Sequence, residues 1–481
     1  MSAILIAGTS SDAGKSLVTT GLCRALANRG IDVAPYKAQN MSNNSMVCSD
    51  GTEIGRAQYL QAQAARVEAT SAMNPVLIKP GTDRRSFTVV RGRPGRVLES
   101  GEYATGRPEL AKAAWQAFEE LQAAHELIVC EGAGSPAEIN LREGDYVNMG
   151  LARNFDFPVV LVGDIDRGGV LASLFGTWAL LDEGDRALLA GYVINKFRGD
   201  IDMLKPGLTE ITARTGLVNY GILPWLPGVW LDGEDALDLG RWRHEATFGS
   251  LKVVAVAFPR ISNATDLDAL AFEQGVDIAM TQSPQAVLDA DLVVLPGTRS
   301  TIDDLKWLRS TGLSDAVRER TRRGRPVLGI CGGFQMLTGT ISDPHGTESG
   351  IAAEISGLGL LDVQVTFGPE KVLARPQGTW RGHPVAGYEI HHGRSTVGAD
   401  AEPFLDGSTD GVAWGTMWHG TLENDAFRRA WLTQIAEQTG SAWRPDPTQG
   451  GYGDARESMI DVLADAAEAH LDVTALVDLA R

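Results

Sequence analysis

Hydrophobic positions in the first half of the chain form short runs, each followed by a glycine-bearing turn and a helical pattern. These apolar or β-branched runs occupy residues 4–7, 31–35, 127–130, 159–162 and 191–194. Strands that alternate with helices are typical of parallel βαβ units, whose sheets are covered on both faces. The pattern therefore predicts a parallel α/β domain over residues 1–230.

A second alternation follows a polar stretch of mixed charge at residues 231–250, which we interpret as a linker. Its strand candidates are residues 252–258, 292–295, 327–330, 360–367, 385–390 and 411–418. A helical pattern begins near residue 423 and continues into an end rich in alanine and aspartate. This pattern predicts a second α/β domain at residues 251–437 and a C-terminal helical tail at residues 438–481.

Composition narrows the possible functions. A chain of 481 residues is long for one hydrophobic core. Its net charge of −18 argues against a nucleic-acid partner, which would require a basic face. No apolar stretch reaches the ~18 residues of a membrane helix, and the N-terminus has no basic segment of a signal peptide. The four scattered cysteines favour neither disulfides nor zinc, so we expect a cytoplasmic protein.

The first predicted strand runs into the loop Gly-Thr-Ser-Ser-Asp-Ala-Gly-Lys-Ser at residues 8–16. A glycine-rich loop between a strand and a helix is the context of a phosphate-binding P-loop. We expect Gly14, Lys15 and Ser16 to bind ATP, with the Ser16 hydroxyl also a ligand of Mg²⁺. Five residues separate Gly8 from Gly14, one more than usual, and this spacing resembles dethiobiotin-synthetase-like ligases.

Further residues are candidates for the same nucleotide site. Glu131 directly follows a predicted strand, where a carboxylate can reach a phosphate-bound metal. Asp50 is the other candidate metal ligand, and Glu53 is its rival. Asn195 also follows a predicted strand, and we expect its amide to bind the edge of adenine.

Residues 325–337 contain the strongest catalytic motif in the second domain. An apolar strand runs into Gly-Ile-Cys-Gly-Gly at residues 329–333, and an amphipathic helix follows. This is the turn of a nucleophile elbow, with Cys331 in the place of serine. The glycines permit the tight turn, and the positive end of the helix favours a thiolate. The motif predicts a cysteine nucleophile.

A cysteine nucleophile needs a base, and three of the eight histidines are candidates. His391 and His392 are adjacent in a predicted strand, so they should point to opposite faces. We favour His419, which closes a predicted strand and precedes a glycine. Most class I glutamine amidotransferases have a glutamate two residues after this histidine, whereas residue 421 is threonine here. Glu423 is a weak substitute.

Tetrahedral intermediates of acyl transfer require backbone N–H donors. We expect one donor at Gly332, directly after the nucleophile. The turn at residues 296–298, after the strand at 292–295, should supply the second, and Gly297 is the candidate there.

Together these segments resemble the cobyrinate amidase family of glutamine-hydrolysing ligases in vitamin B12 biosynthesis. The resemblance covers residues 1–437. It implies a dethiobiotin-synthetase-like P-loop domain followed by a class I glutamine amidotransferase-like domain. The matching segments are residues 8–16, 36–45, 53–58, 74–80, 163–169, the Cys331 elbow, residues 387–391 and residues 419–420.

The resemblance also implies a reaction. ATP and Mg²⁺ would activate carboxylates of a cobalt corrinoid as acyl phosphates, and glutamine would supply ammonia along a shielded path. The segment at residues 37–45 favours the branch that amidates the b, d, e and g carboxylates of adenosylcobyrinic acid a,c-diamide. In this family the acid after the histidine is absent, as it is here. The partners implied are small molecules, without nucleic acid or membrane, and the sequence carries no signal for the oligomeric state.

Three alternatives compete with this interpretation. A P-loop switch, like partition ATPases, would leave the Cys331 elbow unexplained. A cobyrinic acid a,c-diamide synthase should carry a Tyr-Ile-Asp-Pro type segment after its P-loop, which is absent from this sequence. Related ligases amidate a lipid-linked peptidoglycan precursor, but their two domains are on separate chains.

Overall fold

The computed structural model describes residues 2–82, 85–99, 103–229, 249–348 and 350–481. Most of the predicted linker at residues 231–250 lies outside these ranges. The strands are β1 Ala3–Gly8, β2 Val33–Tyr36, β3 Gln39–Met41, β4 Ser45–Val47, β5 Glu53–Gly55, β6 Val76–Thr82, β7 Arg85–Val90, β8 Arg93–Glu99, β9 Leu127–Glu131, β10 Val159–Asp164, β11 Leu189–Phe197, β12 Val218–Pro224, β13 Leu251–Val256, β14 Val276–Thr281, β15 Leu292–Leu295, β16 Val327–Ile330, β17 Thr340–Asp343, β18 Ala353–Ser356, β19 Val363–Ala374, β20 Gln377–Trp380, β21 His383–Ala386, β22 Glu389–Val397, β23 Glu402–Phe404, β24 Gly407–Thr409 and β25 Ala413–Thr416.

The helices are α1 Lys15–Asn28, α2 Arg56–Ala65, α3 Tyr103–Ala124, α4 Met149–Phe155, α5 Val170–Leu180, α6 Glu183–Arg186, α7 Ile201–Thr215, α8 Asp268–Phe272, α9 Pro284–Asp289, α10 Thr301–Ser310, α11 Leu313–Arg322, α12 Gly332–Leu337, α13 Asp425–Thr439, α14 Tyr452–His470 and α15 Val473–Ala480. The two longest described helices are α3, with 22 residues, and α14, with 19 residues. None of the helices that the structure describes is long and apolar enough to cross a membrane.

The first of two compact units contains residues 2–41, 48–229 and 456–481. Its central sheet has six parallel strands in the order β12-β11-β10-β1-β9-β2. Because β1 lies between β9 and β10, the ends of these neighbouring strands bring Gly8 and Glu131 to the same edge of the sheet. The predicted parallel α/β class is confirmed.

A four-stranded sheet, β3-β6-β7-β8, interrupts the alternation of strands and helices in this unit. Only its β3–β6 pair is parallel, and the other pairs are antiparallel. Lys79 on β6 forms a buried ion pair with Glu53 of β5. Removing either member of a buried pair leaves an uncompensated charge, so this pair fixes β5 against the small sheet.

The C-terminal residues 456–481 pack in the first unit, although they end the sequence. Met459 and Ile460 of α14 join the same hydrophobic core as Ile4 of β1 and Leu22 of α1. The buried guanidinium of Arg24 on α1 reaches two acids of α14 at 2.6 and 2.7 Å, namely Glu457 and Asp461. Within the segment predicted as a helical tail, residues 452–470 and 473–480 are helical, and residues 456–481 complete this core.

The second unit contains residues 42–47 and 249–455. Its main sheet has the order β14-β13-β15-β16-β25-β24-β23, of which the first five strands are parallel. Strands β16 and β25 are neighbours, with Ile330 paired to Thr416. The residues that follow the two strands, Cys331 and His419, therefore emerge at one edge of the sheet. A second sheet, β18-β17-β19-β22, belongs to the same unit.

Candidate active sites

The loop at residues 8–16 has the conformation of a phosphate-binding turn. Gly14 precedes α1 with φ of 96°, and a Cβ at this position would lie 1.9 Å from the Asn195 side-chain nitrogen. Both constraints require glycine. The buried Lys15 Nζ donates hydrogen bonds to the carbonyl oxygens of Ser10, at 3.1 Å, and Gly134, at 3.2 Å. The loop thus combines a helix N-terminus with a lysine ammonium, the features that bind phosphate groups.

Glu131 is the centre of this site. It is fully buried at the end of β9 and accepts hydrogen bonds from the Ser16 hydroxyl at 2.9 Å and from Lys37 Nζ at 2.8 Å. Gln61 Nε2 donates to its other oxygen at 2.5 Å. The structure therefore brings together Ser16 and Glu131, which we predicted, with Lys37 and Gln61, which we did not predict as site residues. The position of Lys37 just after a strand adjacent to β9 was the available signal.

Two other predicted residues of the nucleotide site make no hydrogen bond to Glu131 in the described contacts. Asn195 is buried, and its Nδ2 donates a hydrogen bond to the Ala13 carbonyl oxygen at 3.0 Å. This contact stabilises the phosphate loop. Asp50 is exposed and accepts from Thr52 N at 2.9 Å in a local turn. Adenine binding by Asn195 and metal binding by Asp50 stay predictions, and the structure joins neither residue to Glu131.

In the second unit, the elbow around Cys331 is a strained turn between β16 and α12. Cys331 has φ of 50° and ψ of −110°, a conformation that side-chain-bearing residues rarely adopt. A Cβ on Gly333 would lie 1.8 Å from the Leu295 carbonyl oxygen, and a Cβ on Gly332 would lie 2.6 Å from the Thr298 methyl group. Glycine is thus required at both positions because residues 295 and 298 of the same chain approach the turn closely. Cys331 N donates to the Thr416 carbonyl oxygen at 2.8 Å, which fixes the elbow to β25.

His419 has a carboxylate partner that we did not predict. Its Nδ1 lies 2.6 Å from Asp266 Oδ2, and both side chains are buried. The other Asp266 oxygen accepts from Gly420 N at 2.7 Å. Glu423, the weak substitute, lies in the short 3₁₀ turn Thr421–Glu423. Asp266 therefore supplies the acid that is missing at residue 421.

The electrostatics of His419 follow from its neighbours. Burial alone would lower the pKa of His419, but the negative charges and hydrogen bonds of Asp266 and Cys331 outweigh burial and raise it to about 10. The Tyr388 ring stacks on the imidazole, with ring centroids 5.3 Å apart. A cysteine, a histidine and an aspartate in this order are the arrangement of a Cys-His-Asp catalytic triad.

Two backbone N–H groups lie beside the nucleophile. Gly332 N is in the first turn of α12, where helix N–H groups have no intrahelical partner. Thr298 N lies 3.0 Å from the point that a Cβ of Gly332 would occupy, and no described residue accepts its hydrogen. Gly297 instead packs against the His419 ring, because its own Cβ would lie 2.8 Å from His419 Cε1. The geometry favours Gly332 and Thr298 as the oxyanion donors, and Gly297 stays a prediction.

The remaining histidine candidates bind other groups. His391 Nε2 lies 3.3 Å from Glu389 Oε1, and His392 Nδ1 donates to the Gly368 carbonyl oxygen at 3.3 Å. Neither contact involves Cys331, so the geometry supports His419 as the base.

Both halves of the chain match known domain families. The model of a CobQ/CobB/MinD/ParA nucleotide binding domain matches residues 4–237. The model of a CobB/CobQ-like glutamine amidotransferase domain matches residues 252–427. The predicted combination of a P-loop domain with a class I amidotransferase-like domain is therefore confirmed, and a P-loop switch alone does not account for the second half.

Known relatives match this chain over its full length. The cobyric acid synthase of Cutibacterium acnes is 64% identical, and the similarity covers 100% of both chains. The cobyric acid synthases of Mycolicibacterium gilvum and Mycobacterium tuberculosis H37Rv are 57% and 56% identical, over 100% of this chain and 97% of theirs. The chain belongs to the cobyric acid synthase family.

Proposed function

We propose that this protein makes amide bonds on a corrinoid in cobalamin biosynthesis, with glutamine as nitrogen donor and ATP as activator of the carboxylates. In this proposal the acceptors are the b, d, e and g carboxylates of adenosylcobyrinic acid a,c-diamide. One observation carries it: a buried Cys331–His419–Asp266 arrangement and a P-loop with Glu131 occur in the same chain. The full-length similarity to cobyric acid synthases supports the acceptor.

In the glutaminase half, the Cys331 thiolate attacks the amide carbon of glutamine. The oxyanion that forms is stabilised by N–H groups, for which Gly332 and Thr298 are in place. His419 gives its proton to the nitrogen as the C–N bond breaks, so ammonia leaves and a thioester remains. A water then attacks the thioester carbon as His419 takes a proton from it, and the C–S bond breaks, which releases glutamate and restores the Cys331 thiolate. Asp266 holds the imidazole in orientation throughout.

In the ligase half, a corrinoid carboxylate attacks the γ-phosphorus of ATP. An acyl phosphate forms and ADP leaves. Ammonia then attacks the acyl carbon, phosphate departs, and the amide remains. Catalysis of the first step is mainly positioning and charge stabilisation, which the P-loop N–H groups and Lys15 supply. Lys37, held on Glu131, adds a second buried cation at this site.

Mg²⁺ fits the residues around Glu131. Gln61 Oε1 is buried and has no hydrogen-bond partner among the described residues, although its Nε2 holds Glu131. Carboxylate, hydroxyl and amide oxygens are the ligands that hard divalent cations accept. We assign Glu131, Ser16 and Gln61 as the residues that would hold the ion. When bound, it would offset the phosphate charge.

The experiment separates the two halves with Cys331→Ser. The serine hydroxyl keeps the size of the side chain but lacks the thiolate, so glutamine-dependent amidation of the a,c-diamide should be lost. Amidation from ammonium at high pH should stay within about twofold of wild type, because the ligase site is unchanged. Mass spectrometry of the corrinoid counts the amides formed with each donor. Equal loss with both nitrogen donors would contradict a division of labour between two sites.

A further inference from the structure

A short segment from the first half of the sequence belongs to the glutaminase unit. Residues 42–47 cluster with residues 249–455, whereas the residues on either side of them belong to the first unit. Asn44 Oδ1 accepts a hydrogen bond from Ala264 N at 3.1 Å, and Asn263 Oδ1 accepts from Ser45 N at 2.9 Å. Asn44 and Asn263 are 1% and 3% exposed. The two asparagines thus form a reciprocal, buried pair of hydrogen bonds.

This pair holds the turn that carries Asp266. Asn263 has φ of 50° and precedes the 3₁₀ helix Ala264–Leu267. Asp266 N donates to the Asn263 carbonyl oxygen at 3.0 Å, so the carboxylate is one turn away from the asparagine pair. Because Asn263 is in a left-handed conformation, its bond to Ser45 stabilises a backbone shape that would otherwise be disfavoured.

The same segment supports the other face of the histidine. Val47 packs with Tyr388 and Ile390 in a small buried cluster. Tyr388 stacks on the His419 ring, and the two residues exchange backbone hydrogen bonds of 3.0 and 2.9 Å. One end of the segment therefore contacts the support of Asp266, and the other contacts the ring that stacks on His419.

We propose that residues 42–47 are a positioning segment for the glutaminase histidine. Asn44 fixes the position of the turn that carries Asp266, and Val47 fixes the position of the Tyr388 ring that stacks on His419. This inference rests on the proposed function. A base displaced by a fraction of an ångström loses much of its effect, since rate depends steeply on geometry. The motif at residues 36–45 then contributes to both the ligase and the glutaminase reactions. Lys37 binds Glu131 of the nucleotide site, and Asn44 holds the turn that carries Asp266.

Asn44→Ala in the full-length protein tests the proposal. We expect the glutaminase kcat to fall about 10-fold or more with little change in KM. The titratable groups that face His419 are Asp266, Cys331 and Tyr388. A looser Asp266 lowers the pKa of His419, so the high-pH limb of kcat should move to lower pH. Ammonium-dependent amidation should be unchanged.

Two further variants keep the test decisive. Ser283→Ala removes the same kind of bond, a side-chain oxygen that accepts from a backbone N–H, at an exposed helix start in the same unit. It should leave both the rate and the pH profile unchanged. If Asn44→Ala does not fold, Val47→Ala perturbs the Tyr388 support and should lower kcat with the same shift of the high-pH limb.

A double mutant separates positioning from general stability. If Asn44 acts through Asp266, Asn44→Ala combined with Asp266→Asn should be no slower than Asp266→Asn alone. Additive losses, or a wild-type pH profile in both Asn44→Ala and Val47→Ala, would overturn the proposal. A wild-type protein that releases no ammonia from glutamine would instead overturn the proposed function, which keeps the two failures distinct.

Discussion

His419 and Asp266 form a buried pair whose members are 153 residues apart in the chain. The sequence motif provides the nucleophile and the base, but the acid comes from a 3₁₀ turn that precedes α8 in the second unit. At the scale of single residues, the site has the arrangement of a Cys-His-acid triad whose acid lies in a distant segment of the chain. In the proposed mechanism this carboxylate orients the imidazole and stabilises its charged form.

Asp266→Asn should therefore slow glutamine hydrolysis by roughly 100-fold to 10⁴-fold. The pKa of His419 is raised to about 10. The ion pair therefore stabilises the fold fully below the unfolded pKa of about 6.5, and this stability is lost as pH rises through about 10. The amide lacks the charge, so the high-pH limb of the glutamine-hydrolysis rate, where the His419 imidazolium loses its proton, should shift to lower pH.

Glu423→Gln is the matched control for this prediction. It removes a carboxylate from the 3₁₀ turn just after His419. The rate of glutamine hydrolysis should fall less than about 10-fold, because the carboxylate that contacts the His419 Nδ1 atom is Asp266. A Glu423→Gln enzyme as slow as Asp266→Asn would show that the triad is assigned to the wrong acid.

At the scale of elements, the elbow shows why glycine is needed on both sides of the nucleophile. Strand β16 and helix α12 meet at Cys331, and α12 approaches β15 so closely that Gly333 touches the Leu295 backbone. The turn is strained, and the surrounding packing and the hydrogen bond from Cys331 N to Thr416 O hold it. The sequence predicted this element correctly because the glycine spacing is itself the signal.

Gly333→Ala should abolish glutaminase activity and lower the unfolding temperature. Its methyl group would lie 1.8 Å from a backbone oxygen, so β15 or α12 must move, and the nucleophile moves with them. Gly339→Ala is the control, since its nearest neighbour would be the Val363 carbonyl oxygen at an ordinary 3.6 Å. Calorimetry and ammonia release measure both variants, and a fully active Gly333→Ala enzyme would contradict the rigid elbow.

At the scale of the whole molecule, the order of segments in the chain differs from their grouping in space. Helix α14 follows the glutaminase domain in sequence, yet Ile460 is fully buried in the core of the P-loop unit. Residues 42–47 show the reverse case, since they precede most of the P-loop unit and belong to the glutaminase unit. The two units therefore cannot be separated by a single cut in the chain.

Ile460→Asp should destabilise the P-loop unit by several kcal/mol, roughly the cost of placing an uncompensated polar group in an apolar core. Val462→Asp is the control on the same helix, because Val462 is 47% exposed, and its effect should stay within about 0.5 kcal/mol. Thermal unfolding and ammonium-dependent amidation measure both. Similar unfolding temperatures for the two variants would show that α14 does not complete this core.

The sequence by itself determined the features that are encoded in consecutive residues. The P-loop, the elbow and the strand that precedes His419 are each read from glycine spacing and apolar runs, because a turn and its flanking elements form within about 15 residues. The parallel α/β class followed for the same reason. These features predicted the family, and the full-length relatives confirmed it.

Only the tertiary structure decided which distant residues meet. Asp266 and Gln61 carry no local signal that names their partners, and Asp50, in a plausible position in sequence, satisfies its own turn instead. Buried charges and polar groups must find partners, but those partners come from whichever segments the fold brings together, such as the 3₁₀ turn that carries Asp266. The tertiary fold therefore fixed the carboxylate beside His419, the cation on Glu131 and the packing of the C-terminal helices.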